Sequence, residues 1–209
     1  MFQKFISKQF ACPSGLHGRL FTARWMEKAN TEMNSLTLER LALNANDRLI
    51  EIGFGSGYLL ERILKSRSCG FAAGVELSDE MVKLVRRRLR GFIDAGSAEV
   101  RLGDIENLPY KDAEFSKLCS VNTLYFWKAP LAALAECKRV VKRGGLIALC
   151  FNSKADLAAW PGHVHGFDLY ELREVEEMLA AAGFSQIEVA SGNDPEQGLF
   201  YCVTGVAVR

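Results

Sequence analysis

The sequence predicts an α/β fold, in which a seven-stranded, mostly parallel sheet carries helices on both faces and ends in a C-terminal antiparallel hairpin. From residue 48 onward, short apolar runs alternate with helix-length segments, which is typical of a parallel sheet covered on both faces. The last two apolar runs are joined only by the short polar segment 192–197, which favours an antiparallel pair. The first apolar run leads into a glycine-rich turn.

Composition is consistent with one folded domain over residues 1–209. The chain is 49% hydrophobic with a formal net charge of +1, which argues against disorder and against a protein built mainly to bind nucleic-acid phosphate. We expect no membrane span, because no apolar run approaches the necessary length. The six cysteines include no C-x-x-C pair, so we expect free thiols in a reducing cytoplasm and no metal site of that type.

Residues 1–47 precede the first strand and are predicted to form an N-terminal helical cover over a ligand cleft. Its helices are expected at about 15–29 and 31–43. The strands are predicted at 48–53, 71–77, 98–103, 115–121, 145–151, 184–191 and 198–208.

Two later helices show clear start and stop signals. Over 79–95, Ser78 can cap the helix, and an apolar stripe from Val82 through Leu89 repeats at helical spacing. Over 168–182, Asp168 and Glu171 have the spacing of a capping box, and Gly183 follows the last turn.

The glycine turn after the first strand reads Glu51-x-Gly53-x-Gly55-x-Gly57. Such a turn lets the backbone approach a nucleoside-like ligand closely. The dinucleotide fingerprint G-x-G-x-x-G would need a glycine or alanine where Tyr58 stands. The turn therefore favours a nucleoside ligand other than NAD.

Three further strand ends carry side chains suited to that ligand. Glu76 ends the second strand, where a carboxylate can accept two ribose hydroxyls. Asp104 follows the third strand and can accept from an exocyclic adenine amine. Asn122 ends the fourth strand, beside the crevice where open α/β sheets bind ligands.

Together these residues resemble the class I S-adenosylmethionine-dependent methyltransferases, which have a Rossmann-like fold. The glycine turn is similar to their motif I, Glu76 to the ribose-binding acid, and the Gly103–Tyr110 segment to the one that carries the adenine-binding aspartate. The resemblance is nearest to the small-molecule branch that includes ubiquinone- and menaquinone-biosynthesis methyltransferases. One departure is visible, because Ser116 follows Phe115 where that branch usually has aspartate.

The resemblance implies that the chain transfers a methyl group from S-adenosylmethionine to a small-molecule acceptor by in-line displacement. It implies a role for the glycine backbone around the methionine moiety and for Glu51 near its amino group, and it implies that Asn122 faces the methionyl portion. The cofactor-binding residues it implies are Glu51, Gly53, Gly55, Gly57, Glu76, Leu77, Asp104, Ile105 and Asn122.

Candidate catalytic residues are fewer. His163 and His165 lie in the loop after the fifth strand and could act as a general base or as ordinary loop residues. Their H-x-H spacing lacks a third metal ligand nearby, so no metal is predicted. Tyr125, Phe126 and Trp127 could shape an apolar acceptor pocket or simply pack under the N-terminal cover.

The run Arg86-Arg87-Arg88-Leu89-Arg90 is interpreted as the solvated face of a helix, not as a nucleic-acid patch. Two alternatives to the methyltransferase remain at this point, an NAD-dependent oxidoreductase and a non-catalytic binding module on the same fold. The methyl acceptor, the acceptor atom and the oligomeric state are left open.

Overall fold

A computed structural model describes residues 2–11 and 29–208 of the chain. The strands are β1 (Arg48–Ile52), β2 (Phe71–Glu76), β3 (Ala98–Leu102), β4 (Phe115–Val121), β5 (Val141–Asn152), β6 (Phe184–Asp194) and β7 (Gly198–Ala207). They form one seven-stranded sheet in the order β3-β2-β1-β4-β5-β7-β6. The first five strands pair in parallel, and β7 runs antiparallel to both β5 and β6. The predicted fold class is confirmed.

The α-helices of the described residues lie before and between these strands. They are α1 (Phe2–Ala11), α2 (Thr31–Leu41), α3 (Tyr58–Ser66), α4 (Asp79–Arg88), α5 (Arg90–Asp94), α6 (Pro130–Val140), α7 (Lys154–Ala159) and α8 (Leu172–Ala181). Among these residues, no helix combines the length and the apolar character that crossing a bilayer requires.

Each face of the sheet has its own apolar core, because successive strand residues point to opposite faces. On one face, Ile50 and Ile52 of β1 lie in the cluster that includes buried residues of α6 and α8. On the other face, Leu49 lies with buried residues of α2, α3 and α4. Glu51 has the same parity as Leu49 and so points toward the second core.

The N-terminal cover differs from the prediction. A helix not expected from the sequence, α1, spans residues 2–11, whereas the helix expected over about 15–29 lies almost wholly outside the described residues. The expected second helix is present as α2, but it packs against β4, β5, β6 and β7. Its residue Asn34 lines a small pocket beside Glu51.

Three local expectations are corrected. The predicted helix over 79–95 divides at Leu89 into α4 and α5, although Ser78 caps α4 as expected by accepting from the Met81 amide. The capping box of α8 joins Glu171 to Glu174 instead of Asp168 to Glu171. No helix links β3 to β4, and residues 103–114 form a loop instead.

Candidate functional site

A cleft lies along the carboxyl ends of β1, β2, β3 and β4, which is where open α/β sheets bind their ligands. We call it the strand-end cleft. Its lining includes Gly53, Gly55, Glu76, Leu77, Asp104, Ile105 and Asn122. Seven of the nine predicted cofactor residues are therefore brought together in one place, and the other two, Glu51 and Gly57, lie nearby.

The glycine turn comes close to its neighbours at two points. Gly53 has a φ of +69°, and a Cβ there would lie 2.5 Å from the Thr123 methyl carbon. Gly57 has a φ of +74°, and its Cβ would lie 2.6 Å from a Val85 methyl. The first contact keeps the turn against the end of β4, and the second lets α3 approach α4. Gly57 thus allows a close contact between two helices, and it supports the turn from behind the cleft.

Glu76 holds the glycine turn and the next helix together. One carboxylate oxygen accepts from the Gly55 amide at 3.1 Å, and the other accepts from the Ser78 amide at 3.0 Å. The side chain is buried, which raises its pKa, and the amide hydrogen bonds partly offset that rise. Its position is therefore fixed before any ligand arrives.

Glu51 faces a small adjoining pocket, the Glu51 pocket, which is also lined by Asn30, Asn34 and Tyr58. The carboxylate is 4% exposed, and its Oε2 has no hydrogen-bond partner among the described residues. Burial, and next the charge of Glu76, raise the pKa of Glu51 to about 8. A buried acceptor without a donor is costly to leave unsatisfied, so this pocket suits a ligand that brings a cationic N–H group.

The loop after β3 forms one wall of the cleft. Asp104 accepts from the Glu106 amide at 3.1 Å, and Ile105 is buried beside it. Across the cleft, Leu77 is 52% exposed at the end of β2. A carboxylate next to apolar side chains such as Ile105 and Leu77 can bind the edge of a flat, amine-bearing ring while those side chains cover the ring faces.

Asn122 stands in a left-handed conformation, with a φ of +61°, one residue after β4 ends. Its backbone N–H donates to the Cys150 carbonyl at 2.8 Å, and its side-chain Nδ2 donates to Asn30 Oδ1 at 2.9 Å. The Asn122 Oδ1 atom is buried and has no partner among the described residues. This turn directs an unsatisfied acceptor toward the ligand-binding region.

A second cavity of about 420 Å³ adjoins the strand-end cleft. We call it the aromatic cavity, because its walls include Phe10, Tyr125, Phe126, Trp160 and Phe167. Phe10, Asn122 and Phe126 line both spaces. A ligand in one space therefore lies next to a ligand in the other.

The candidate catalytic residues are placed differently from one another. Tyr125 lines the aromatic cavity, is buried, and accepts from the Asn152 amide through its hydroxyl. His163 Nδ1 makes a hydrogen bond of 2.7 Å with the Trp160 carbonyl. His165 is exposed. Neither histidine lines the strand-end cleft or the aromatic cavity. The structure does not bring them to the ligand-binding region.

Other lining residues had no signal in the sequence. Phe10 belongs to the unexpected helix α1, and Asp156 and Gln197 come from segments that carry no motif. Asp156 could have been noticed only through Ser153, which caps α7 by accepting from the Asp156 amide. These residues meet because β5 and the β6–β7 turn end at the same edge of the sheet.

The Phe115-Ser116 departure has a local structural account. Ser116 donates to Asp47 at 2.7 Å and accepts from the Arg48 amide. These contacts lie at the start of β1, at the opposite edge of the sheet from the cleft. The departure therefore leaves the ligand-binding residues untouched.

Comparison with known proteins agrees with this geometry. Residues 50–149 match the family described as a methyltransferase domain, Methyltransf_11. The uncharacterized methyltransferase YdaC of Bacillus subtilis is 29% identical over 182 residues, which is 86% of this chain and 93% of that protein.

Solved structures share the fold. A chain from the complex of the Haloferax volcanii Trm112 methyltransferase activator with a methyltransferase partner superposes with a TM-score of 0.79 at 21% identity, over 90% of this chain and 94% of that one. Phosphoethanolamine N-methyltransferase 2 of Haemonchus contortus, in complex with S-adenosyl-L-methionine, gives 0.71 at 16% identity, over 85% of this chain and 53% of that one.

These findings support a class I S-adenosylmethionine-dependent methyltransferase. Methyltransferases of this class use S-adenosylmethionine as their cofactor, and the Haemonchus contortus structure contains it. The match to a methyltransferase domain favours a methyltransferase over an NAD-dependent oxidoreductase. The missing third glycine of the dinucleotide fingerprint points the same way. The nearer likeness to quinone-biosynthesis enzymes stays a prediction.

Proposed function

We propose that the chain transfers the methyl group of S-adenosylmethionine to a small molecule bound in the aromatic cavity. The observation that carries this proposal is the continuity of the two spaces, since Phe10, Asn122 and Phe126 line both of them. A volume of about 420 Å³ falls within the usual range for small-molecule sites.

The cofactor residues take the following roles in this proposal. Glu76 accepts the ribose hydroxyls, and Asp104 with the Ile105 amide holds the adenine beside Leu77. Glu51 receives the amino group of the methionyl portion. The buried, unpartnered oxygen of Glu51 supports this role, because a ligand ammonium would satisfy it and stabilise its charged form.

When bound, the cofactor supplies a methyl group already activated by a sulfonium. The chain then has to hold the acceptor in line with that methyl group and to exclude water. Asn122 stands where the two ligands meet, and the aromatic walls supply the dry surroundings. Phe10 covers both spaces from the side of α1.

No side-chain general base is part of the proposal. Burial raises the pKa of the Tyr125 hydroxyl far above its usual range, so this group stays protonated and can only donate or accept hydrogen bonds. His163 and His165 lie outside both spaces. We therefore assign Tyr125 to positioning, and we expect histidine substitutions to spare cofactor binding.

A small acceptor fits the surface better than a nucleic acid does. In the arginine run, Arg86 donates to the Val100 carbonyl, and Arg88 binds Glu61 at 2.6 Å. These side chains are engaged within the protein at the helix that carries them, and the net charge is +1. The five cysteines of the described residues are free thiols, which supports a reducing cytoplasm as the setting of the reaction.

The proposal can be tested with S-adenosylmethionine carrying a ¹³C-labelled methyl group. The enzyme is incubated with a deproteinised extract of small metabolites and, separately, with the protein and RNA fractions. We expect labelled product in the small-molecule fraction, detected by mass spectrometry, and less of it from an Asp104→Ala variant at a limiting cofactor concentration. Label found only in protein or RNA would contradict a small acceptor, and no label in any fraction would favour a non-catalytic role.

A further inference from the structure

The aromatic cavity has a continuous wall of packed rings. Phe10 lies 5.5 Å from Trp160, and Trp160 lies 5.4 Å from Phe167, measured between ring centroids. Phe167 then contacts Phe126 at 4.6 Å and stacks on Tyr125 at 5.7 Å. Each ring is held by its neighbour, so the cavity offers a preformed aromatic surface.

Among the described residues, the charged side chains that line this cavity all have one sign. They are Asp156 and Glu196, both exposed at its mouth. Among the described residues, no lysine or arginine lines the cavity, whereas Lys128 lines the strand-end cleft. The described lining residues therefore bring only negative formal charge to the mouth of the cavity.

The Asp156 carboxylate is held firmly in place. Its Oδ2 accepts from the Ser153 hydroxyl at 2.5 Å and from the Leu199 amide at 3.0 Å. Over the part of the chain that the structure describes, no ion pair neutralises it. These two bonds fix the charge at the rim between α7 and the start of β7.

At the inner end of the cavity, the buried Oδ1 of Asn122 has no donor among the described residues, while its Nδ2 is occupied by Asn30. This acceptor lies where the cavity meets the strand-end cleft. A ligand that presents an N–H group there would satisfy it.

We propose that the methyl acceptor is an amine with an apolar or aromatic body. This inference rests on the proposed function and names the substrate class of the same site. A protonated amine is attracted by aromatic faces and by carboxylates, so it enters a cavity whose mouth carries Asp156 and Glu196. Its apolar body then packs on the ring wall, and an N–H group donates to Asn122.

The transfer step balances for such a substrate. The ammonium first gives one proton to bulk water, which frees the nitrogen lone pair. That lone pair forms the new N–C bond as the S–C bond breaks, and the electron pair of the broken bond stays on sulfur. The products are a neutral thioether and a methylated ammonium, so no oxidant or further reactant is needed.

Three matched probes can test this assignment: 2-phenylethylamine, 2-phenylethanol and phenylacetate. Each is titrated into the wild-type protein by calorimetry, both with and without saturating S-adenosylhomocysteine. We expect the amine to bind about tenfold or more tightly than the alcohol, and the acid to bind most weakly. An amine affinity no higher than that of the alcohol would overturn the proposal, as would a preference for the acid.

A double variant, Asp156→Asn with Glu196→Gln, separates charge from shape. We expect the ratio of amine to alcohol affinity to fall severalfold while alcohol binding is retained. Glu177→Gln, an exposed substitution on α8 that lines neither space, should leave the ratio unchanged. An unchanged ratio in the double variant would contradict the role of the carboxylates. Failure of S-adenosylhomocysteine to bind would instead contradict the proposed function. The two failures can be told apart, because the probes are also compared without S-adenosylhomocysteine.

Discussion

Glu51 is buried beside another acid, and it keeps one oxygen without a donor among the described residues. Its pKa of about 8 means that the free protein holds this group mostly protonated at neutral pH. The motif I spacing was enough to select Glu51 from the sequence. Its neutral state was not predictable, because it depends on the depth of the pocket and on Glu76 of the neighbouring strand.

We expect cofactor binding to release a proton from Glu51. A carboxyl with a pKa of about 8 is roughly nine-tenths protonated at pH 7, and an ammonium placed against it lowers its pKa. Affinity for S-adenosylhomocysteine should therefore rise from pH 6 to 8 and level off above that. Calorimetry in buffers of different ionisation enthalpy measures the released proton, and Glu51→Gln should abolish it. Equal proton release in wild type and variant would refute the role of Glu51.

The same group should make the free protein less stable as pH rises. Its folded pKa is raised from 4.5 to about 8, so between these values the folded state binds more protons than the unfolded state, and the free energy of unfolding falls. The full loss is up to about 5 kcal/mol, at roughly 1.4 kcal/mol per pKa unit. Urea titrations across this range should show a steeper decline for wild type than for Glu51→Gln. Parallel curves would show that Glu51 has no raised pKa.

Asn122 shows a different limit of sequence reasoning at the residue scale. Its place at the end of β4 could be predicted, but its left-handed backbone and its bond to Asn30 could not. The partner lies 92 positions away in sequence, in a segment that carries no motif. Long-range side-chain pairs of this kind leave no local pattern to read.

At the scale of elements, α1 is the clearest omission. Its first turn holds no acidic residue, so one of the usual signals of a helix start is missing. The structure places Ser7 against the 161–164 turn, where its hydroxyl donates to the Gly162 carbonyl at 2.8 Å. This helix is supported by tertiary contact, which a short helix generally needs.

Gly162 offers a test of the wall that α1 helps to build. A Cβ at this position would lie 2.2 Å from the Trp160 ring, so Gly162→Ala should displace the indole. We expect binding of 2-phenylethylamine to weaken by about tenfold and binding of S-adenosylhomocysteine to change little. Gly91→Ala is the matched control, because nothing lies within 4 Å of its Cβ. Equal losses for both ligands would indicate general unfolding instead of a local displacement.

The remaining element-scale differences have local physical reasons. Leu89 stays on the buried stripe as predicted, but the backbone leaves the helix there, and two short helices share the segment. In α8 the capping box is formed three residues later than expected, because the Glu174 side chain accepts from the Glu171 amide at 2.7 Å. Asp168, Glu171 and Glu174 are spaced three residues apart, so the sequence allows a capping box at either pair.

At the scale of the whole molecule, the strand assignments were predictable because each strand is a distinct apolar run between polar turns. The parallel set and the C-terminal antiparallel hairpin were predicted, whereas the strand order β3-β2-β1-β4-β5-β7-β6 comes from the structure. The shape of the aromatic cavity was not predictable, since it combines α1, the end of β4, α7 and the β6–β7 turn. Those segments meet only in the folded chain.

We propose that the strand ends of β2 and β3 together hold one nucleoside cofactor. The most direct test is calorimetric binding of S-adenosylhomocysteine to wild type, Glu76→Ala, Asp104→Ala and the control Glu177→Gln, each checked for folding by circular dichroism. We predict one-to-one binding that is unchanged in the control and weakened by roughly 1–3 kcal/mol in each of the two alanine variants, through lost charge-assisted hydrogen bonds. Wild-type affinity in both folded alanine variants, or no binding to the wild type, would contradict the account.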